Sequence, residues 1–342
     1  MWIFHMLPNQ RKLASIRQIG SITPIDGADN IEKITIDGWN CVAKKGEFKE
    51  KQLCVYFEID SFLPIRPEFE FLRKTSYRKM GDQEGFRLKT IRLRGVLSQG
   101  LALPLSILEN HSHSVRIGDD VTDILGIIKY EPPIPAELQG IAKGLFPRFI
   151  SKTDQERVQN IWNEIKDNPE SFEVTLKLDG TSCTYYLHND NFGVCSRNLE
   201  LQASETNTLW KLAQQYQIEE LLRSYGHNIA LQGEIIGEGI QKNPEKIKGQ
   251  DFYLFDVWDI NQRRYYGPQE RRALHEKFFS ALKHIPILDV KRYLTEYKSI
   301  EDILATADGP SINNKIREGI VFRSNDSGLT FKIISNLYLL EE

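Results

Sequence analysis

The segment Val174-Thr175-Leu176-Lys177-Leu178-Asp179-Gly180-Thr181-Ser182 sets one lysine at the end of an apolar run, with Asp-Gly just beyond it. A lysine in that position can act as a nucleophile, because partial burial and neighbouring cations depress its pKa and expose the neutral amine. Asp179, two residues on and on the same side of a strand, could bind a metal-water cluster beside it. Taken alone, the four residues Lys177 to Gly180 fit an exposed lysine before an Asp-Gly hairpin turn better than they fit catalysis. Their weight depends on the residues downstream.

Those residues form an ordered series. Ser196-Arg197-Asn198 comes about twenty residues after Lys177. Gly233-Glu234 ends one strand-like run, and Phe252-Tyr253-Leu254-Phe255-Asp256-Val257 forms another. Glu318-Gly319-Ile320-Val321 and Phe331-Lys332-Ile333-Ile334 close the set. This order resembles motifs I, Ia, III, IIIa, IV and V of the covalent nucleotidyltransferase superfamily, which comprises DNA ligases, RNA ligases and mRNA capping enzymes. The resemblance covers roughly residues 170 to 335.

Within that superfamily, capping enzymes and the usual DNA ligases carry an OB-fold after the catalytic domain. Here the sequence stops at Glu342, ten residues past Lys332, and a β-rich segment lies ahead of the motifs instead. That order, with Asp37-Gly38-Trp39, the run Tyr56 to Pro64 and a basic stretch ending at Gly95, looks like the clade of nick-sealing RNA ligases with an N-terminal OB domain. The resemblance implies an α+β protein, an OB-type β-barrel followed by a nucleotidyltransferase domain of antiparallel sheets and helices. The expected division is residues 1–130, a linker with a short helix over 131–170, and residues 171–342.

The same resemblance implies ATP as the nucleotide, Mg²⁺ or Mn²⁺ as the metal, and roles for named residues. Lys177 would become the lysyl-AMP. Asp179 and Glu318, with Asp256 as a further candidate, would hold the metal, a hard ion that commonly takes one or two carboxylates and several waters. Lys332 would contact the α-phosphate and help keep Lys177 unprotonated; the family often has a second lysine where this chain has Thr330. Arg197 would reach the ribose or the 5′-phosphate. Glu234 would accept from a ribose hydroxyl. Phe255 would stack on adenine with Val321 on its other face, and Phe252 could exchange roles with Phe255. Thr175 and Leu176 would touch the base.

The elements that must position these groups show in the patterning. Strands are expected near 172–178, 181–187, 191–196, 229–236, 251–258, 316–323 and 329–334. Helices are expected near 154–164, 207–224 and 268–283. Residues 13–130 read as short strands punctuated by Gly and Pro, with Leu53 to Ile59 apolar enough to be central. Phe86 to Arg94 alternates and then slips by one at Thr90-Ile91, which predicts a β-bulge in a strand with one basic face. Arg87, Lys89, Arg92 and Arg94 on that face, interleaved with aromatics, suit a polynucleotide backbone. A solvated sheet face fits the segment equally well.

Composition bounds the rest. The chain has 342 residues, 40% hydrophobic and 27% charged, with a net charge of -3. That balance excludes a mainly disordered chain. It also argues against a protein that grips nucleic acid by bulk charge. Residues 1–130 hold 19 Lys+Arg against 16 Asp+Glu, a net of +3; the remainder holds 25 against 31, a net of -6. A local basic patch ahead of an acidic catalytic domain is the expected arrangement. The four scattered cysteines suit a reducing, cytoplasm-like compartment, and no apolar run reaches the length of a membrane span. No zinc site is expected, the histidines (His111 and His113 among them) lacking any grouping with cysteines. The apolar start, Met1 to Leu7, reads as neither signal peptide nor part of either domain. Nicked duplex RNA or an RNA/DNA hybrid is the expected partner, with no protein partner and a monomer. The rivals are a DNA ligase or capping-type enzyme, and an OB-fold binding protein with an inactive ligase domain.

Overall fold

The computed structural model describes residues 11–108, 115–133 and 140–341. The readings of the amino terminus, of His111 and His113, and of residues 134–139 of the linker therefore lie outside the described residues. The chain forms two compact units, residues 1–133 and 134–342.

The first unit is built of short antiparallel strands. β1 (Ala14–Gln18), β5 (Leu53–Phe57) and β11 (Leu101–Pro104) make one sheet with β5 in the middle, and β2 (Ile22–Pro24), β3 (Ile31–Ile36) and β4 (Trp39–Lys44) make a meander. β6 (Ser61–Pro64) lies between β8 (Gln83–Arg87), flanked by β7 (Tyr77–Met80), and β12 (Ile128–Lys129). β5 is buried on both faces. Val55 and Phe57 enter a cluster with Leu63, Phe69 and Phe86, while Cys54 and Tyr56 enter another with Trp39 and Ile34. Period-two alternation feeds both sides, which explains a strand with almost no polar residues.

The expected bulge in Phe86 to Arg94 is corrected. The slip marks a break: β8 stops at Arg87, and β9 (Ile91–Leu93) pairs in a separate hairpin with β10 (Val96–Ser98). Arg94 and Gly95 both take positive φ at its turn. The four basic residues therefore share no single face. Arg87 is held by Asp60 at 3.3 Å and lies 4.5 Å over the Tyr130 ring, whereas Lys89, Arg92 and Arg94 are exposed.

The second unit contains two sheets. One has β15 (Ser171–Lys177) between β23 (Ile287–Tyr293) and β24 (Gly319–Ser324), then β25 (Thr330–Ile334) and the parallel β14 (Glu156–Arg157). The other runs β13 (Ala142–Leu145), β18 (Leu199–Leu201), β17 (Asn191–Cys195), β16 (Thr181–His188), β19 (Ile229–Gly237), β20 (Gln250–Asp259), β21 (Arg264–Tyr265), with β22 (Lys283–His284) beside β20. Helices Thr208–Gln215, Ile218–Tyr225 and Pro268–Phe278 supply residues to the main core of the larger sheet, and helices Val158–Ile165 and Ile300–Ala305 to that of the smaller.

Two helix expectations shift. The single helix over 207–224 is two, because Gln217 takes a left-handed φ of 50° that no continuous helix accommodates. The helix from Pro268 ends at Phe278, and Lys283–His284 is already a strand. The Asn207 carboxamide caps the first of these helices by accepting from the Leu209 N–H at 2.9 Å.

Candidate active site

Lys177 is the last residue of β15 and Thr181 the first of β16, so Leu178-Asp179-Gly180 carries the chain from the smaller sheet to the larger. Only glycine fits at position 180. A Cβ there would lie 2.2 Å from the Ile235 carbonyl oxygen, next to Glu234 on β19. The Asp-Gly signal thus reflects a close backbone approach between sheets rather than an exposed hairpin tip.

Antiparallel register determines which side chains share a face. Thr175 lies opposite Val321 and Lys177 opposite Gly319; Val321 in turn lies opposite Lys332, and Lys332 beside Arg157. Cross-strand partners point to the same side of a sheet. One face of the smaller sheet therefore presents Glu173, Thr175, Lys177, Val321, Arg323, Lys332 and Arg157. Arg157 was absent from the sequence expectations. Its only local signal is a basic residue at a helix entrance, and the parallel pairing that sets it beside Lys332 spans the whole domain.

Glu318 immediately precedes β24. Lys177 Nζ donates to both of its carboxylate oxygens, at 2.6 and 2.7 Å. Asp179 accepts from the Tyr338 hydroxyl at 2.5 Å. Burial alone would lower the Lys177 ammonium, but Glu318, Glu234 and Asp179 outweigh it and raise its pKa above the ordinary lysine value. The expectation that Lys332 keeps Lys177 unprotonated is corrected here, since the carboxylates prevail. The depressed lysine is Lys332 itself, brought down to about 7 by burial and by the cations of Lys177 and Arg157. Burial, with the negative charges of Glu318 and Asp179, pushes Glu234 up to about 8, and burial likewise raises Glu318. Arg197 is exposed at the end of β17, where its guanidinium donates to Asp154 at 2.7 Å.

Phe255 and Phe252 are separated by a bulge. Gln232 pairs with Asp256 but Gly233 with Leu254, which leaves Phe255 as the extra residue on β20. Bulges re-aim side chains. Phe252 is 0% exposed and packs edge-on to Tyr185 with ring centroids 5.0 Å apart, inside the main core. Phe255 stays partly exposed and packs against the cluster that contains Leu176 and Leu178, with the Arg323 guanidinium 5.9 Å from its ring centre. Of the two, Phe255 is the ring a ligand can reach.

Two further expectations are corrected. Asp256 is not available to a metal: both its oxygens accept from Arg323, at 2.7 and 3.2 Å, and Arg271 lies 3.6 Å away. The Thr175 hydroxyl accepts from Arg323 at 2.9 Å and is fully buried, so it cannot touch a base. Leu176 is also buried, its N–H donating to the Pro286 carbonyl. Arg271 and Arg272 both pair with the buried Glu173. Three arginines and two carboxylates thus lock the two sheets together beneath Phe255 and Val321.

Comparison with known proteins sets a frame for this site. A family model described as RNA ligase matches residues 170–334, and one described as an OB-fold domain matches residues 13–105. A variant RNA ligase of Naegleria gruberi, solved with AMP and manganese, is 51% identical over 97% of this chain and 99% of its own, with a TM-score of 0.84. The chain belongs to the RNA ligase family. A second Naegleria gruberi RNA ligase variant, solved with ATP and manganese, is 50% identical over the same shares, also at 0.84. The form solved with pyrophosphate is 50% identical over 97% of this chain and 99% of its own, at 0.82. No match was found among curated proteins. This RNA ligase therefore has an N-terminal OB-fold followed by a nucleotidyltransferase domain of α+β type. Among the described residues no helix is long and apolar enough to cross a membrane.

Proposed function

We propose that this RNA ligase seals 3′-OH/5′-phosphate nicks in duplex RNA or RNA/DNA hybrids, by way of a lysyl-AMP on Lys177 and an adenylylated 5′ end. Its nucleotide is ATP, supported by the relatives solved with ATP, with AMP and with pyrophosphate. The observation that carries the reading is Lys177 at the mouth between two sheets, within 2.7 Å of Glu318 and on the same face as Lys332. An ordinary structural lysine has no need of three surrounding carboxylates and a neighbouring depressed lysine.

In the first step the Lys177 amine attacks the α-phosphorus; the N–P bond forms as the P–O bond to pyrophosphate breaks. In the second, a 5′-phosphate oxygen displaces the lysine and takes the AMP. In the third, the 3′-OH attacks the adenylylated phosphate and AMP leaves. Phosphoryl transfers of this kind require alignment and charge neutralisation more than covalent help. Lys332 and Arg157 neutralise the triphosphate from one face. Glu234, whose carboxyl burial pushes up to about 8, meets the ribose by accepting from a hydroxyl. Phe255 and Val321 hold the adenine, and Arg197 engages the ribose or the 5′-phosphate once released from Asp154.

Asp179 and Glu318 would hold Mg²⁺ or Mn²⁺. Glu318 already accepts from one cation, the Lys177 ammonium, at 2.6 Å, and Asp179 lies two residues beyond that lysine, which suits a hydrated ion taking two carboxylates and several waters. Bound there, the metal would neutralise phosphate charge. Glu318 holds the Lys177 ammonium in the free enzyme, and a cation taken up by Glu318 would weaken that hold and favour the neutral amine.

Residues 171–342, together with β14 and its Arg157, are assigned the chemistry, residues 1–130 the duplex, and the remainder of 131–170 the connection, in a monomer. Incubation with labelled ATP and a divalent metal should leave label on the wild type and none on Lys177→Ala; equal labelling of both would overturn the reading. A nick with an RNA 3′ end should be sealed and its all-DNA counterpart should not, and equal sealing of the two would remove the RNA specificity.

A further inference from the structure

The connection between β19 and β20 spans residues 238–249, although antiparallel neighbours need only two to five residues to turn. It lies between Glu234 and Phe255, two of the proposed nucleotide contacts. Its backbone is costly. Gln241, Lys242, Asn243 and Lys246 all take positive φ, between 44° and 59°. An L-residue other than asparagine is disfavoured there, and strain of this kind persists where surrounding structure enforces it.

That enforcement is visible. Glu238 N–H donates to the Gly249 carbonyl at 2.8 Å, closing the loop base, and a Cβ on Gly237 would lie 2.1 Å from the same oxygen. The Asn243 carboxamide bonds Ile247 in both directions, donating at 2.9 Å and accepting at 3.1 Å. Glu245, 4% exposed, accepts from the Ser311 hydroxyl and from the Asn313 N–H at 2.8 Å, tying the loop to the segment that leads into Glu318. Ile247, like Phe255, packs against the cluster that contains Leu178, and the Gln241 carboxamide reaches the Gly180 carbonyl at 3.4 Å. The loop is fastened to the turn that carries Lys177 and Asp179.

What this scaffold holds outward is Lys242, Lys246 and Lys248, all exposed. Glu245 is buried, so Glu238 is the one exposed acid on the loop. None of the three lysines has an ion-pair partner among the described residues. Strained backbone that displays three uncompensated ammonium groups lowers stability unless an anion meets them. On the proposed reading the triphosphate meets Lys332 and Arg157 on the smaller sheet, whereas a polynucleotide offers a row of phosphates at the spacing of successive nucleotides.

We propose that residues 238–249 form a phosphodiester-binding rim on the catalytic domain, where Lys242, Lys246 and Lys248 seat the substrate backbone beside the nucleophile. The inference rests on the nick-sealing reading for its substrate but not for its geometry. The test is the full-length variant K242Q/K246Q/K248Q beside a K242R/K246R/K248R control. With a pre-adenylylated nicked duplex, the Gln variant should bind at least about tenfold more weakly at 100 mM salt, and its slope of log K against log salt should fall by about 2–3, near 0.9 per lost phosphate contact. The Arg control should keep both. Transfer of label from ATP to Lys177 should keep the wild-type KM in all three proteins, which reports on the proposed chemistry independently of the rim. An unchanged salt slope overturns the proposal. A raised KM for ATP with normal duplex binding also overturns it, by assigning the loop to pyrophosphate.

Discussion

Asp256→Asn tests whether the buried charges beneath the site are structural. In the wild type Asp256 neutralises Arg323 through two hydrogen bonds, 2.7 and 3.2 Å, and faces Arg271 at 3.6 Å; Arg271 is 0% and Arg323 4% exposed. The substitution keeps the shape and removes the charge, leaving three guanidinium groups against Glu173 alone. Removing one partner of a buried pair costs about 3–5 kcal/mol, because the other charge stays desolvated. For a unit of roughly 200 residues each kcal/mol moves Tm by about 2–4 °C, so the second unit should melt about 6–20 °C lower by calorimetry. Phe255 is the neighbouring residue and lies under Arg323, so KM for ATP in self-adenylylation should rise several-fold well below the melting range. Arg323→Met added to Asp256→Asn should cost less than Arg323→Met alone, since the pair is already broken. The metal concentration for half-maximal adenylylation should not change. A Tm within about 2 °C of wild type, or a shifted metal midpoint, would refute the assignment and return Asp256 to the metal.

Lys332→Met should melt above the wild type near pH 7. Lys332 has a native pKa of about 7 against an ordinary value of 10.5. Between these the unfolded chain binds the extra proton and wild-type stability rises with pH. The gap should be widest at or below pH 7, with a ceiling of about 5 kcal/mol, and close by pH 10.5; a constant gap would refute the burial argument. Gly180→Ala should lower self-adenylylation by about 100-fold, since a Cβ 2.2 Å from the Ile235 oxygen must move the Lys177 turn; single-turnover labelling at wild-type rate would show that the turn adapts. Neutralising Lys89, Arg92 and Arg94 should weaken duplex binding and sealing while leaving adenylylation intact. Arg87, already engaged by Asp60 and Tyr130, should contribute least, and filter binding of the single variants would rank them.

Much of the site was legible in one dimension because each motif is local. Lys177 and Asp179 lie at one turn, Glu318 just before one strand and Lys332 within another, and their order along the chain, rather than any one motif, marked them as candidates. The two-domain order and the central position of β5 came from patterning as well, since a strand buried on both sides has no polar residues to alternate. What the sequence could not show depends on pairs brought together from far apart. Whether Lys177 is neutral is decided by Glu318, 141 residues away, whose carboxylate lies 2.6 Å from its amine. Phe255 rather than Phe252 faces the site because a bulge inserts one residue opposite β19, a register event with no mark in the residue types. Asp256 read as a metal ligand and Thr175 as a base contact until Arg323 was seen to hold both. Arg157 gained a place beside Lys332 only through a parallel pairing. Residue types determined which chemistry this chain can perform; long-range pairing, by setting distance and burial, decided which groups carry charge and which are free to act.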